Sequence, residues 1–131
     1  MIRRGFMAGL AALALAACAS SGAPTAPAAS AGGFVSDRIS VTTQGRGPDV
    51  ILIPGLTSSP EIWDTTAAAL DDTHRVHLVQ VHGFAGVAAG GNAEGAVSAP
   101  AAEEIARYIR EAGLTRPAVI GHSMGGTIGM M

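Results

Sequence analysis

The sequence contains no lysine, and its eight basic residues are all arginines. Its net charge is −2, and loss of Arg3 and Arg4 with a leader would make it more negative, so no basic surface for nucleic acid is expected. The single cysteine excludes an intrachain disulfide framework and a cysteine-rich zinc site. Aromatic residues make up only 4%, and much of the 48% apolar content is alanine, which buries little area. A length of 131 residues allows one small domain and excludes a large multidomain enzyme.

Residues 1–17 have the organisation of an export signal. Arg3 and Arg4 form a charged start, and an apolar run over residues 5–17 follows. A membrane-spanning helix needs about 20 apolar residues, whereas the apolar region of a signal peptide needs about 7–15. The segment is therefore predicted to be a signal peptide and not a transmembrane anchor. Its paired arginines are also similar to a twin-arginine signal, which leaves the export route open.

The sequence LAAC, which ends at Cys18, resembles a bacterial lipobox. The resemblance implies cleavage before Cys18 and a lipid on its thiol, which would anchor the mature protein in a membrane. Residues 18–33 are rich in Pro, Ala, Ser and Gly and would form a flexible linker behind that anchor. Because Ser20 follows the cysteine by two, the resemblance implies an exported bacterial envelope protein on the outer membrane, facing the periplasm. The alternative is ordinary cleavage after Ala19, which would discard the cysteine.

Strand and helix patterns alternate beyond this linker. Strands are predicted over residues 38–43, 50–53, 76–81 and 118–120, the last three as buried strands, of which residues 50–53 form a continuous β-branched run. Helices are predicted over residues 100–112 and after Ser59, the latter with a weak apolar stripe of Ile62, Thr66, Ala69 and Leu70. The alternation favours the α/β class, with a mostly parallel sheet flanked by helices, for a domain over residues 34–131.

The segment GHSMG, residues 121–125, matches the pattern G-x-S-x-G. A β-branched strand precedes it and a helix-compatible stretch follows, which is the context that the pattern requires. A sharp strand-to-helix turn would raise the Ser123 hydroxyl above the sheet, at a helix start where backbone N–H groups face a developing oxyanion. Gly121 and Gly125 would leave the space that a larger side chain fills. The residues therefore predict Ser123 as a nucleophile, against the plain alternative of a glycine-rich turn without catalysis.

With this turn, the strands before it and the segments VILIPGLTSSPEIW and VHLVQVHGFAG, the chain resembles the α/β-hydrolase superfamily. The resemblance implies that the loop after residues 50–53 supplies one oxyanion N–H, here from Leu56, and that Met124 supplies the second. It implies a catalytic triad in the order serine, then Asp or Glu, then histidine. No cofactor and no metal are implied.

The triad is incomplete in these 131 residues, since neither a carboxylate nor a histidine follows Ser123. All four histidines precede or adjoin the serine, and His82 could line a pocket without taking the family position of the base. We therefore expect the chain to be the N-terminal part of a longer hydrolase, inactive alone; the alternative is a naturally short or degenerate product.

The expected function is that of a serine hydrolase that cleaves an ester, thioester or amide-like bond of a small-molecule acyl substrate. Two alternatives share the same features: an acyltransferase on the same serine, and a non-catalytic binding lipoprotein with a degenerate hydrolase fold. The sequence does not specify the substrate or the oligomeric state.

Overall fold

The computed structural model describes residues 33–131. The predicted signal peptide, Cys18 and the linker before Gly33 lie outside the described residues. Strands and helices follow one another as β1 (Ile39–Gly45), β2 (Asp49–Ile53), α1 (Asp64–Leu70), β3 (Arg75–Val81), α2 (Ser98–Glu111), β4 (Ala118–Gly121) and α3 (Met124–Gly129). Short 3-10 turns precede α1 at Pro60–Trp63 and α2 at Gly90–Asn92. No helix within residues 33–131 has the length and apolar character that a membrane crossing requires.

One sheet with the order β1-β3-β2-β4 forms the centre of the domain. β2 pairs in parallel with both β3 and β4, while β1 is antiparallel to β3. The apolar runs of β2 and β3 account for their central places, because a strand covered on both faces needs apolar side chains on both. The predicted class, a mostly parallel sheet flanked by helices, is confirmed.

Each face of the sheet has its own apolar cluster. The face under α2 and α3 buries Ile39, Val41, Ile51, Ile53, Val79 and Val81 with Ala101, Ile105, Tyr108, Leu114 and Ile128. The opposite face buries Val50, Leu52, Val76 and Leu78 against Ala67 of α1, with Trp63 and Leu70 at its border. Side chains of one strand alternate between these clusters, as the period of two requires.

The helix after Ser59 differs from its prediction in the face that it buries. Pro60–Trp63 is a 3-10 turn with about three residues per turn, and the α-helix starts only at Asp64. This rotates the buried face, so Ala67 packs on the sheet while Ile62 is exposed. The predicted stripe is therefore wrong in part: Ile62 and Ala69 are exposed, whereas Thr66 is half-buried and Leu70 packs at the border of the core.

The prediction of a buried last strand is also wrong. β4 pairs with β2 along one side only among the described residues, and Val119 and Ile120 are 40% and 42% exposed. Their apolar character is that of a central strand, but burial depends on neighbours that a local pattern does not reveal.

Candidate active site

The candidate site lies where the three parallel strands end. β2 continues into residues 54–58, β3 into residues 82–97, and β4 into the turn of Ser123. Because these strands are parallel neighbours, the three loops meet at one edge, here called the carboxyl edge. Ligands of open parallel sheets bind in the crevice at such an edge.

Ser123 occupies a tight turn between β4 and α3. Its backbone has φ 53 and ψ −120, a conformation that an L-residue adopts only under constraint. A Cβ at Gly121 would overlap the Gly125 carbonyl group, and one at Gly125 would lie 2.6 Å from the Pro54 carbonyl oxygen. Both glycines are therefore required for strand and helix to approach this closely, while the serine side chain remains exposed.

The loop after β2 forms a second turn, which faces Ser123. The Ser58 N–H donates to the Gly55 carbonyl at 3.2 Å, and Thr57 has φ 63, an outlier for a β-branched residue. A Cβ at Gly55 would lie 3.3 Å from the Ser123 Cβ and 2.9 Å from His122 Nδ1, so the two turns are in contact. Leu56 between them is 55% exposed.

Several backbone N–H groups at this contact have no acceptor within residues 33–131. Those of Leu56, in the turn after β2, and Met124, the first residue of α3, are among them. An unsatisfied N–H beside an exposed hydroxyl is the arrangement that can bind a developing negative charge. The structure thus brings together the five residues singled out in the sequence around the serine.

None of the four histidines has a hydrogen bond to the Ser123 hydroxyl within the described residues. His74 contacts the Thr73 hydroxyl at 2.9 Å on the surface, and His82 bonds to the Asp37 carbonyl at 2.9 Å. His77 lies in a buried network described below, and His122 packs beside Gly55. These positions leave Ser123 without a base in this part of the chain.

Backbone strain is concentrated at the carboxyl edge. Outside glycine, four residues of the described part have positive φ, and Thr57, Ala85 and Ser123 lie on the three loops of this edge. The fourth, Arg116, precedes β4 at the opposite end. Conformations of this kind cost about 1–3 kcal/mol each and cluster where function needs a fixed geometry.

Sequence reasoning missed a polar network at the amino edge, where the parallel strands begin. Buried His77 joins the Tyr108 hydroxyl through Nδ1 at 2.7 Å and Asp49 Oδ1 through Nε2 at 2.9 Å. Arg75 Nε donates to the same Asp49 oxygen at 2.6 Å. The sequence hints at this network only by placing a histidine and a tyrosine in otherwise apolar stripes. The hydrogen-bond partners themselves come from three separate elements, so no local pattern shows that they meet.

Burial and the contacts within this network shift the pKa values of its groups. Burial lowers the pKa of His77, against the opposing effect of the Asp49 carboxylate. The hydrogen bond from Arg75 lowers the pKa of Asp49, and burial raises the pKa of Tyr108. The two contacts fit the neutral form that burial favours, in which Nε2–H donates to Asp49 and Nδ1 accepts from Tyr108.

A cavity of about 470 Å³ adjoins this network, lined by Phe34, Thr43, Arg75, His77, Tyr108 and Glu111 among others. Its buried polar groups already satisfy one another, which is typical of a structural network. No group of three or more potential metal ligands occurs within residues 33–131.

Comparison with known proteins identifies the family. The sequence profile of the Alpha/beta hydrolase family matches residues 50–131. The chain belongs to this family. The matched region includes the turn after β2, the long loop after β3 and the turn of Ser123, so all three loops of the candidate site lie within it.

Similar hydrolase-family proteins include enzymes and solved structures. A pimeloyl-[acyl-carrier protein] methyl ester esterase of Vibrio cholerae is 34% identical over 84 residues, which cover 64% of this chain and 30% of that protein. An alpha/beta hydrolase fold protein from Burkholderia ambifaria is 26% identical, with a TM-score of 0.62 over 71% of this chain and 34% of that one. A marine microorganism esterase is also 26% identical, with a TM-score of 0.62 over 72% of this chain and 36% of that one.

The chain spans about a third of the length of these relatives. In sequence and in fold, what it shares with them is one part of a hydrolase domain, which includes the carboxyl edge of the sheet.

Proposed function

We propose that the protein is a serine hydrolase, which cleaves an ester, thioester or amide-like bond of a small-molecule substrate through an acyl-enzyme on Ser123. The observation that carries the proposal is the exposed hydroxyl of Ser123 on a strained strand-to-helix turn, in contact with a second turn, where the N–H groups of Leu56 and Met124 are among those without acceptors. A serine in an ordinary surface turn needs neither the strain nor the close glycine packing.

The reaction would proceed in two steps. The Ser123 Oγ attacks the acyl carbonyl while its proton passes to a base, and the N–H groups of Leu56 and Met124 hold the resulting oxyanion. Collapse of this intermediate breaks the bond to the alcohol, thiol or amine, which leaves with the proton. Water then attacks the acyl-enzyme, and the serine is regenerated. The steps need no metal and no organic cofactor.

The base and its carboxylate partner would come from residues outside this chain. Three of its four histidines are hydrogen-bonded elsewhere, and His122 adjoins the serine on the turn itself. In the resemblance described above, the acid and then the histidine follow the serine. We therefore propose that the complete protein continues beyond this segment and that the 131 residues alone are inactive.

An ester is the substrate class that the relatives favour. The Vibrio cholerae relative is named for a methyl ester and the marine neighbour is named an esterase. We extend only the ester bond to this protein, as a proposal, and leave the acyl group open.

A fluorophosphonate probe tests the nucleophile, because it modifies a serine only where the hydroxyl is activated and the oxyanion is bound. The complete protein should be labelled, Ser123→Ala should abolish labelling, and Ser59→Ala should leave it unchanged. A folded protein that is not labelled would favour the non-catalytic lipoprotein. Ester cleavage that transfers the acyl group to an added alcohol, instead of water, would favour the acyltransferase.

We also propose export and anchoring through Cys18, on the resemblance of its surroundings to a lipobox. Cells fed an alkynyl fatty acid should label the wild-type protein and not Cys18→Ala. Labelling absent from both would favour ordinary cleavage after Ala19.

A further inference from the structure

The loop after β3, residues 82–97, is long for a connection in a compact domain. Its regular structure is limited to one 3-10 turn, Gly90–Asn92. Connections of this length are either functional or disordered. Here side-chain hydrogen bonds fix the conformation of the loop, so it is an ordered part of the carboxyl edge.

Asn92 is the centre of those bonds. It is 8% exposed, and its side-chain amide donates to the Arg38 carbonyl at 2.9 Å and to the His82 carbonyl at 3.1 Å. Its Oδ1 accepts from Arg38 Nη1 at 2.9 Å. One buried side chain thus ties the far end of the loop to its beginning and to the residue before β1.

A second contact holds the same part of the loop against Asp37. The Gly91 N–H donates to the Asp37 carbonyl at 3.0 Å, and a Cβ at Gly91 would lie 2.7 Å from the Asp37 carboxylate. His82 Nδ1 bonds to the same carbonyl at 2.9 Å. The two glycines at 90 and 91 give the loop the close approach that brings Asn92 to Arg38.

The loop leaves the sheet at the same edge as the candidate site. β3 lies beside β2 and runs parallel to it, so residues 82–97 begin next to the strand end that continues into the turn of Leu56. Phe84, near the loop tip, packs on the same apolar cluster as Met124 of the serine turn. Beyond Phe84 the strained Ala85 has φ 52, and Val87 is exposed.

We infer that Asn92 is a positioning residue, whose amide holds residues 82–97 against the start of β1 and thereby fixes the wall of the acyl site next to Ser123. The inference deepens the proposed hydrolase and rests on it for the acyl site. Asn92 touches no substrate. It acts through the loop tip at residues 84–87, which sets how long an acyl chain fits beside the serine.

The test compares Asn92→Ala with Tyr108→Phe in the complete protein. Tyr108→Phe also removes a buried side-chain hydrogen bond, but at the amino edge. Hydrogen exchange should become about tenfold faster or more in peptides covering residues 82–97 of Asn92→Ala, because removing the anchor favours local opening. Peptides covering residues 116–131 should be unchanged. Tyr108→Phe should leave the loop at wild-type rates.

Activity gives the second readout. The ratio of kcat/KM for p-nitrophenyl octanoate to that for the acetate should change about fivefold or more in Asn92→Ala, since a shifted wall changes transition-state contacts with the long chain. Tyr108→Phe should keep the wild-type ratio. Asn92→Asp keeps the acceptor for Arg38 but loses both donors, and should fall between wild type and Asn92→Ala.

Unchanged loop exchange in Asn92→Ala would overturn the inference, and so would faster exchange with an unchanged substrate ratio. If the wild-type protein cleaves neither ester and resists the fluorophosphonate, the proposed hydrolase fails. In that case the exchange comparison still decides whether Asn92 holds the loop.

Discussion

Two neighbouring glycines of α3, at 125 and 126, should respond to alanine in opposite ways. A Cβ at Gly125 would lie 2.6 Å from the Pro54 carbonyl oxygen and closer still to that of Ile53, whereas ordinary contact starts at 3.4 Å. The distance to Pro54 is 0.8 Å too short and the one to Ile53 is shorter still, and both atoms belong to the backbone, so no side chain can move to relieve the overlap. At Gly126 the nearest atom to the new Cβ is the Gly121 carbonyl oxygen at 3.4 Å, an ordinary contact.

Gly125→Ala should therefore lower the free energy of unfolding by about 1–3 kcal/mol or more, the usual cost of overfilling a packed region. Gly126→Ala should raise it by about 0.5–1 kcal/mol, because alanine is favoured over glycine inside a helix. Urea unfolding of the complete protein measures both. Fluorophosphonate labelling at Ser123 should slow in Gly125→Ala, whose turn must open, and persist in Gly126→Ala.

The pair is its own control, since both changes add one methyl group to the same helix. Equal stability of the two variants would refute the packing explanation for Gly125. Destabilisation of both would point to the helix as a whole, and not to the contact with the loop after β2.

Three further changes have defined outcomes. Thr57→Gly should raise the free energy of unfolding by about 0.5–1 kcal/mol, because relief of the positive φ exceeds the added entropy of the unfolded chain; a loss of stability in thermal unfolding would contradict it. Asp49→Ala should lower the free energy of unfolding by about 1–3 kcal/mol, because the buried N–H of His77 loses its acceptor. An unchanged urea midpoint would show that the network does not stabilise the fold. Burial lowers the pKa of His77 below 6.5, so the unfolded chain binds its proton first, and stability should fall as pH drops from about 6.5 through the folded pKa. Urea unfolding from pH 8 to pH 5 should show this fall, and His77→Gln should make it smaller; equal slopes would contradict the assignment.

Local sequence patterns predicted a strand, helix or turn correctly where residues close together in the chain determine its structure. The apolar run of β2 indicates a strand covered on both faces, and Ile51 and Leu52 are fully buried. The helix predicted over residues 100–112 is α2, with Ile105 and Tyr108 inward as the 3.6-residue period requires. The turn of Ser123 was predicted for the same reason, because its glycines and serine are neighbours in the chain.

Features that depend on distant partners were not predictable. β4 has the sequence of a buried strand, and its exposure follows from which strands pair with it. The hydrogen bonds of Asn92 join residues 10 and 54 positions apart, and those of His77 join residues 28 and 31 apart. An asparagine in a Gly-rich and Ala-rich loop carries no local sign of burial, because its partners, two backbone carbonyls and the Arg38 guanidinium, lie far from it along the chain.

The two edges of the sheet differ in role: the amino edge stabilises the fold, and the carboxyl edge carries the candidate reactive groups. At the amino edge every polar group of the Asp49–His77–Tyr108 network has a partner, so none is left to bind or activate a substrate. At the carboxyl edge lie three strained residues, an exposed hydroxyl and several backbone N–H groups without acceptors within residues 33–131. Such an edge is unfavourable for the folded state unless the buried strands between the two edges hold it. Strained geometry at Ser123 can therefore persist because β2 and β3 are covered on both faces, and a weakened strand should loosen the serine turn before it unfolds the domain.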